Sequence, residues 1–405
     1  MHKEFLMGNA AIALGALAAG IDLAAGYPGT PSTETLETII KRRPGNVYVE
    51  WSVNEKAALE LAAGASYAGA RVLVTMKQVG LNVASDPLMS LEYIGVKGGM
   101  VVMVADDPGP ISSQTEQDSR HFSRFSKLPC FDPSSVQEAY DMIQDAFVLS
   151  EKYGTPVLFR PTTRVCHAYA SISVKDADEW TGHTPDGFVR DSSRWVIFPK
   201  LSHAAHNRIE ERNSALSAEF CAYGRNRIFP EGFEGCRTGI AAGGISSAYA
   251  SAALKDFPER APRLLKVATP YPFPEQLALE FLSGLDSVLC LEELDPVIER
   301  ELVYLCGKHH LNVRVCGKLS GDREYAGENT PDSIEQGIRR FLGMPQPSTP
   351  VLPQAPPLPA RPPVLCAGCP HRASFYAVKR AMKDRKSIFC GDIGCYTLGN
   401  AMPLD

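Results

Sequence analysis

The chain has 405 residues, 44% hydrophobic and 21% charged, with 41 Lys and Arg against 46 Asp and Glu for a formal net charge of −5. That length predicts two or three domains of roughly 100–200 residues, each with enough apolar surface for a core. The lack of a basic excess gives no support to nucleic-acid binding through phosphate neutralisation. Eleven scattered cysteines, most in apolar runs such as Val288-Leu289-Cys290-Leu291, read as reduced thiols of a cytoplasmic protein rather than a disulfide framework.

Residues 10–25 are rich in Ala and Gly, carry Asp22 and lack a Leu-dense centre. The run is too weakly apolar for a signal peptide or a membrane span. From 1 to about 175, strands are expected at 71–76, 100–105 and 156–160, and helices at 54–69 and 134–153. Strands spaced by helices imply crossover connections and a mostly parallel, doubly covered sheet. Residues 176–235 are more polar and read as a connector. A second alternating unit covers 236–343, with strands expected at 239–242, 264–268, 287–292 and 312–317 and helices at 246–257, 275–283 and 296–310.

Residues 344–363 hold nine prolines in twenty positions, the composition of an extended, semi-rigid spacer. Residues 364–405 follow, with a helix expected at 374–383 and a strand at 387–390. About forty residues are too few for an independent α/β domain, so the chain is expected to stop inside its third domain. The fold class is therefore α/β and multi-domain: two doubly wound parallel-sheet domains and the start of a third.

Several stretches carry residue types suited to chemistry. Gly26 to Glu34 is a loop in which Gly29 permits close backbone approach and Pro28 and Pro31 add stiffness, with Ser32 or Thr33 placed to cap the next helix. Its plain reading is a tight turn; its functional reading is a rigid loop presenting Thr30 to a ligand. Glu55 opens an Ala-rich helix capped by Asn54, where the dipole favours a carboxylate. It is either an ordinary first-turn Glu or a partly buried carboxylate that exchanges a proton with a cofactor nitrogen. The stretches from Thr75 to Asn82, Asp106 to Pro110 and Ser112 to Arg120 follow strands, where open α/β sheets bind ligands. Arg120 suits bidentate grip of a carboxylate, or an ion pair with Asp118 or Glu116. Cys366 and Cys369 form a Cys-x-x-Cys pair, with Cys390 and Cys395 within thirty residues. Four-thiolate zinc, an iron–sulfur cluster on Cys366, Cys369 and Cys395 with a ligand from elsewhere, and a redox dithiol all remain open.

Taken in order, Tyr27 to Glu34, Trp51 to Glu60, Met76 to Pro87, Ala105 to Pro108, Ser112 to Arg120, Tyr223 to Arg227, Glu292 to Pro296, Cys366 to Arg372 and Gly391 to Gly399 resemble the thiamine-dependent 2-oxoacid:ferredoxin oxidoreductases. The match runs along nearly the whole chain and is nearest to the branch acting on arylpyruvates of the indole-3-pyruvate class.

The resemblance implies that residues 1–175 bind the thiamine pyrimidine, 236–343 form a transketolase C-terminal-like domain, and 364–405 begin the diphosphate-binding domain. Glu55 then matches the glutamate that hydrogen-bonds the aminopyrimidine ring. Thr30 and Arg120 would orient the 2-oxo acid, and Gln78, where many members have His, would touch substrate as a neutral amide. Pro28, Gly29, Thr30, Gly391, Asp392, Gly394, Cys395, Tyr396 and Thr397 would contact the cofactor, and Cys366, Cys369 and Cys395 would match three ligands of a [4Fe-4S] cluster.

Mg²⁺ and further clusters are expected to depend on residues beyond Asp405. The implied partners are a smaller β subunit, ferredoxin and coenzyme A in a dimer of heterodimers, with no nucleic acid and no membrane. Related alternatives are another 2-oxo acid such as phenylglyoxylate or pyruvate, or a non-catalytic chain whose last forty residues bind zinc. An acyl-CoA ligase of Rossmann type would need a Gly-x-Gly-x-x-Gly loop after a strand, and none is present.

Overall fold

A computed structural model describes residues 1–229, 235–256, 262–347, 356–359, 362–391 and 394–400. Met1–Gln346 form one compact unit and Pro347–Asp405 another.

The chain opens with β1 (His2–Met7), α1 (Gly8–Ala18), β2 (Leu23–Gly26), α2 (Thr33–Arg42), β3 (Tyr48–Trp51), α3 (Glu55–Tyr67), β4 (Val72–Lys77) and α4 (Gln78–Ile94). It continues through β5 (Met100–Ala105), α5 (Arg120–Ser126), β6 (Cys130–Phe131), α6 (Val136–Tyr153), β7 (Val157–Phe159), α7 (Thr163–His167) and β8 (Tyr169–Val174). β1 and β8 pair antiparallel, and the other six strands form a wholly parallel sheet in the order β3-β2-β4-β5-β7-β6.

Period-two alternation along the strands divides the core into two layers. Leu73, Val101, Met103 and Phe159 face residues of α1, α2 and α6, while Val72, Val74, Met76, Met100, Val102 and Val104 face α3 and α4. The apolar run at residues 10–25 is thus a central buried helix followed by a buried strand, and α1 is covered on nearly every side. Among the described residues no helix is long and apolar enough to cross a membrane.

The polar stretch 176–235 contains more structure than its composition suggested. It includes the 23-residue α8 (Pro199–Cys221), which buries Ala205, Ile209, Leu216 and Phe220, and the short β9 (Arg227–Phe229). The second sheet adds β10 (Thr238–Gly243), α9 (Gly244–Ala253), β11 (Arg263–Val267), α10 (Glu275–Leu282), β12 (Ser287–Leu291), α11 (Val297–Lys308), β13 (Arg314–Cys316) and α12 (Pro331–Phe341). Its order is β13-β12-β10-β11-β9, parallel except for the edge strand β9.

In the second unit, α13 (Pro370–Ala381) begins four residues before the position expected from sequence, because Pro370 is a favourable first helical residue. The strand expected at 387–390 is not formed: those residues join no ladder among the described residues. Part of the proline-rich spacer lies outside the described residues.

Candidate active site

Strand order fixes where a ligand could enter the first sheet. β3 lies on one side of β2, while β4 and β5 lie on the other. The chain therefore reverses direction between β2 and β4. In open parallel sheets the crevice beyond the carboxyl ends of two such strands is where ligands bind. The loop after β2 and the last residue of β4 meet at this point.

That loop is held from beneath. Buried Asn9 of α1 donates from Nδ2 to the Pro31 carbonyl at 2.7 Å and to Glu34 Oε2 at 2.9 Å, and accepts from Thr35 Oγ1 at 3.1 Å. The Gly29 amide donates to Thr33 Oγ1 at 2.9 Å, and the Thr30–Pro31 peptide is cis. Ser32 precedes α2, but its hydroxyl donates to the Gly29 carbonyl at 2.9 Å and makes no capping bond to the helix. The expected cap is therefore a turn brace. Pro28 and Thr30 are exposed at the tip, while Gly29 is half-buried.

Glu55 is the first residue of α3. Asn54 caps that helix through Oδ1, which accepts from the Ala57 amide at 2.9 Å. The half-buried Glu55 side chain lies directly against Gly80, one turn into α4: a Cβ there would stand 2.5 Å from Glu55 Oε1 and 2.9 Å from its Cδ. Only glycine leaves room for the carboxylate in this position.

Between Glu55 and the loop sits Lys77. Its Cγ and Cδ lie 3.2 and 3.3 Å from where a Gly29 Cβ would be. Partial burial lowers the Lys77 pKa, while the charges of Asp107 and Glu55 act in the opposite direction. Asp107 is itself fixed by the Ser112 amide at 2.9 Å and the Thr163 hydroxyl at 2.6 Å. Burial raises its carboxyl pKa, but these hydrogen bonds outweigh that effect and hold it below the usual range.

Two expected substrate contacts are placed differently. Gln78 is 1% exposed and directs Nε2 to the Thr115 carbonyl at 3.1 Å, which braces the 112–119 loop, while its Oε1 is buried without a partner. Arg120 has a side chain 1% exposed, and each of its three guanidinium nitrogens makes a hydrogen bond. Nε and Nη2 grip Asp118 at 2.9 and 2.6 Å, Nη1 meets Glu292 at 2.8 Å, and Nη2 also reaches the Glu293 and Asp295 carbonyls at 2.8 Å. A buried guanidinium already paired with two carboxylates is engaged in joining the two sheets, which is not the substrate grip expected of Arg120 from sequence. Glu292 completes the tie by accepting from the Val297, Ile298 and Glu299 amides at 3.0 Å, which caps α11.

In the second unit, Cys369 stands at the N-terminus of α13 with its sulfur 3.3 Å from His371 Nδ1. Cys366, Cys390 and Cys395 are exposed. Among the described residues no three of these sulfurs come within 4.8 Å of one another, so neither the four-thiolate zinc set nor the three-thiolate iron–sulfur set is drawn together. Cys395 opens a short 3-10 turn in which the Thr397 hydroxyl donates to the Gly394 carbonyl at 2.6 Å, and Tyr396 packs edge-on against His371 at 4.5 Å. Gly391 lies beside Tyr396, and Asp392 falls outside the described residues.

Residues 14–197, which hold the whole crevice, match the family model described as pyruvate flavodoxin/ferredoxin oxidoreductase, thiamine diphosphate-binding. The chain is also 42% identical over 410 residues to the indolepyruvate oxidoreductase subunit IorA of Methanothermobacter thermautotrophicus, a match covering 99% of this chain. The chain is thus similar to the indolepyruvate oxidoreductase IorA subunits along nearly its whole length.

The corresponding subunit of Pyrococcus horikoshii is 39% identical over the full chain. This chain spans 65% and 63% of the lengths of those two relatives. Among solved structures, a 2-oxoglutarate:ferredoxin oxidoreductase from Magnetococcus marinus superposes with a TM-score of 0.69 at 18% identity, covering 84% of this chain and 65% of that one, which supports the fold. The parallel-sheet architecture and the similarity to IorA subunits both agree with the sequence reading. Lys77, Gly80 and the brace through Asn9 were not singled out from sequence, because each acquires its place only when α1, β4 and α4 converge.

Proposed function

We propose that this chain is the thiamine-binding part of an enzyme that oxidatively decarboxylates arylpyruvates of the indole-3-pyruvate class. The 2-oxo acid and coenzyme A become an acyl-CoA and CO2, and the two electrons released leave singly for ferredoxin. The observation that carries this reading is Glu55 at the start of α3, seated against Gly80 at the switch point of the domain that matches the thiamine-binding family model. The choice of arylpyruvate is supported by the names of the 42% and 39% identical relatives.

The residues suit the cofactor. The Gly80 cradle lets the Glu55 carboxylate stand beside a planar ring, with α4 behind it. Thiamine diphosphate, held there, would supply the carbanion chemistry that a 2-oxo acid needs for decarboxylation. Glu55 holds its hydrogen bond to the ring nitrogen of the aminopyrimidine and so sets that ring's protonation state. Exposed Thr30, on a loop fixed by Asn9 and Thr33, orients the substrate carbonyl. Pro28 and Gly29 line the same edge.

Residues 1–175 serve as the pyrimidine-binding domain, 236–343 as the transketolase C-terminal-like domain, and 364–405 as the beginning of the diphosphate-binding domain. There Gly391, Asp392, Gly394, Cys395, Tyr396 and Thr397 are the residues assigned to Mg²⁺ and diphosphate, and Cys366, Cys369 and Cys395 would ligate a [4Fe-4S] cluster only on being drawn together. The working assembly is cytoplasmic, with a smaller β subunit and two copies of each chain.

The test is anaerobic purification of the intact enzyme with its co-purifying subunits. Reduction of methyl viologen should then depend on indole-3-pyruvate, coenzyme A and thiamine diphosphate together. Glu55→Gln should lower turnover by about 100-fold or more with an unchanged circular-dichroism spectrum. A wild-type-like rate in that variant removes Glu55 from the mechanism, and higher kcat/KM on pyruvate or phenylglyoxylate replaces the substrate class.

A further inference from the structure

Four cations crowd the carboxyl end of the first sheet: Lys77, Arg120, Arg160 and Arg164. Three are committed to carboxylates. Arg120 is paired with Asp118 and Glu292, Arg160 with Asp106 and Asp132, and Arg164 with Glu328. Arg120 and Arg160 are also buried, at 2% exposure each. Lys77 differs on both counts. It is half-buried, and among the described residues its ammonium makes no hydrogen bond and no ion pair within 4.0 Å. Glu55 and Asp107 influence it through space without meeting it.

Its placement is equally specific. Lys77 is the last residue of β4, in register with Ala105 of β5, and Thr75 two residues earlier is in register with Gly26 of β2. The side chain therefore leaves the sheet at the switch point between β2 and β4 and lies along Gly29, whose missing Cβ makes room for its methylenes. Thr30 follows immediately. A positive charge, an exposed hydroxyl and a glutamate thus surround one crevice, each from a different element.

We propose that Lys77 is the cation that receives the carboxylate of the 2-oxo acid. The inference rests on the oxidoreductase reading above and deepens it by naming the group that recognises the acid function. A 2-oxo acid presents a carboxylate one bond from its keto carbon. Lys77 and Thr30 can take these two neighbouring groups, leaving the aryl end directed away from the loop. The ammonium needs no rearrangement to do so, whereas Arg120 would have to abandon two buried carboxylates.

The experiment uses the intact enzyme and two non-reacting probes, indole-3-propionate and its uncharged amide, as inhibitors of indole-3-pyruvate turnover. Wild type should bind the acid about 10- to 100-fold more tightly than the amide, as a charge-assisted hydrogen bond requires. Lys77→Met should reduce that preference to near unity and raise KM for indole-3-pyruvate by a similar factor. Lys77→Arg should restore part of both. Circular dichroism and elution volume identify a variant that has misfolded, and Lys77→Arg then carries the decision through its intermediate preference. A Lys77→Met enzyme that keeps the acid preference and instead loses kcat overturns the proposal, because the lysine then acts on Glu55. Absence of any 2-oxo acid turnover in wild type is a separate result and overturns the underlying reading.

Discussion

Arg120 shows how burial decides what a side chain can do. From sequence, an arginine on a polar loop beyond a strand suits carboxylate recognition as well as it suits a local ion pair. The structure places it inside the molecule, between Asp118 two residues away and Glu292 on the second sheet. The Arg120 guanidinium beside it holds the Asp118 carboxyl well below its usual range in spite of burial. Removing the cation would leave two buried carboxylates unpaired. Arg120→Met should accordingly lower the unfolding free energy by about 3–5 kcal/mol, read from urea denaturation. A variant of wild-type stability with only a raised KM would return Arg120 to the substrate. Lys77, with no such pairing, should show the opposite pattern.

Helices α3 and α4 build the site as a pair. Asn54 fixes the first turn of α3, so its loss acts on both the helix and the carboxylate that follows it. Asn54→Ala should destabilise the protein by about 1 kcal/mol. It should also weaken thiamine diphosphate binding in calorimetry, since Glu55 loses the geometry that the cap enforces. Loss of stability without a change in cofactor affinity would separate the cap from the site. The asparagine, the Ala-rich helix and Glu55 in its first turn were legible from residue order, because capping is local chemistry. Gly80 was not. A glycine inside a helix reads as a mild defect of about 1 kcal/mol relative to alanine, and only the 2.5 Å approach of Glu55 explains why alanine would not serve. The stretch holding Gln78 was misread for a related reason: its position after a strand suggested a loop, but α4 begins there.

At the scale of the whole molecule, buried charges join the two sheets. Glu293 lies deep in this junction, 5% exposed, with Oε1 accepting from the Asn329 amide at 3.0 Å. Burial raises its pKa from 4.5 to about 7, against a smaller opposing effect of Arg160. The folded protein therefore keeps a proton between pH 4.5 and about 7 that the unfolded chain has released. The stability associated with Glu293 is present below pH 4.5 and is lost as pH rises through about 7. Glu293→Gln, which retains the acceptor, should gain stability over wild type more at pH 8 than at pH 5 in paired urea titrations. Parallel curves at the two values would mean that Glu293 ionises alike in both states.

Residue order alone determined most of the alternation of strands and helices, the Asn54 cap, and the motifs that carry the resemblance. These depend on periodicity and on contacts between near neighbours, which the linear pattern records directly. Tertiary structure decided which charged groups are available. Whether Arg120 or Lys77 can meet a ligand depends on partners 172 residues away in one case and on an absent Cβ at Gly29 in the other. It also decided that the apolar segment near the amino end is the centre of a core, because α2, α6 and the first sheet close around it. Desolvation and long-range pairing arise only when distant segments pack together. For that reason the resemblance could be read from residue order, while the side chains free to act in the crevice had to be read from the fold.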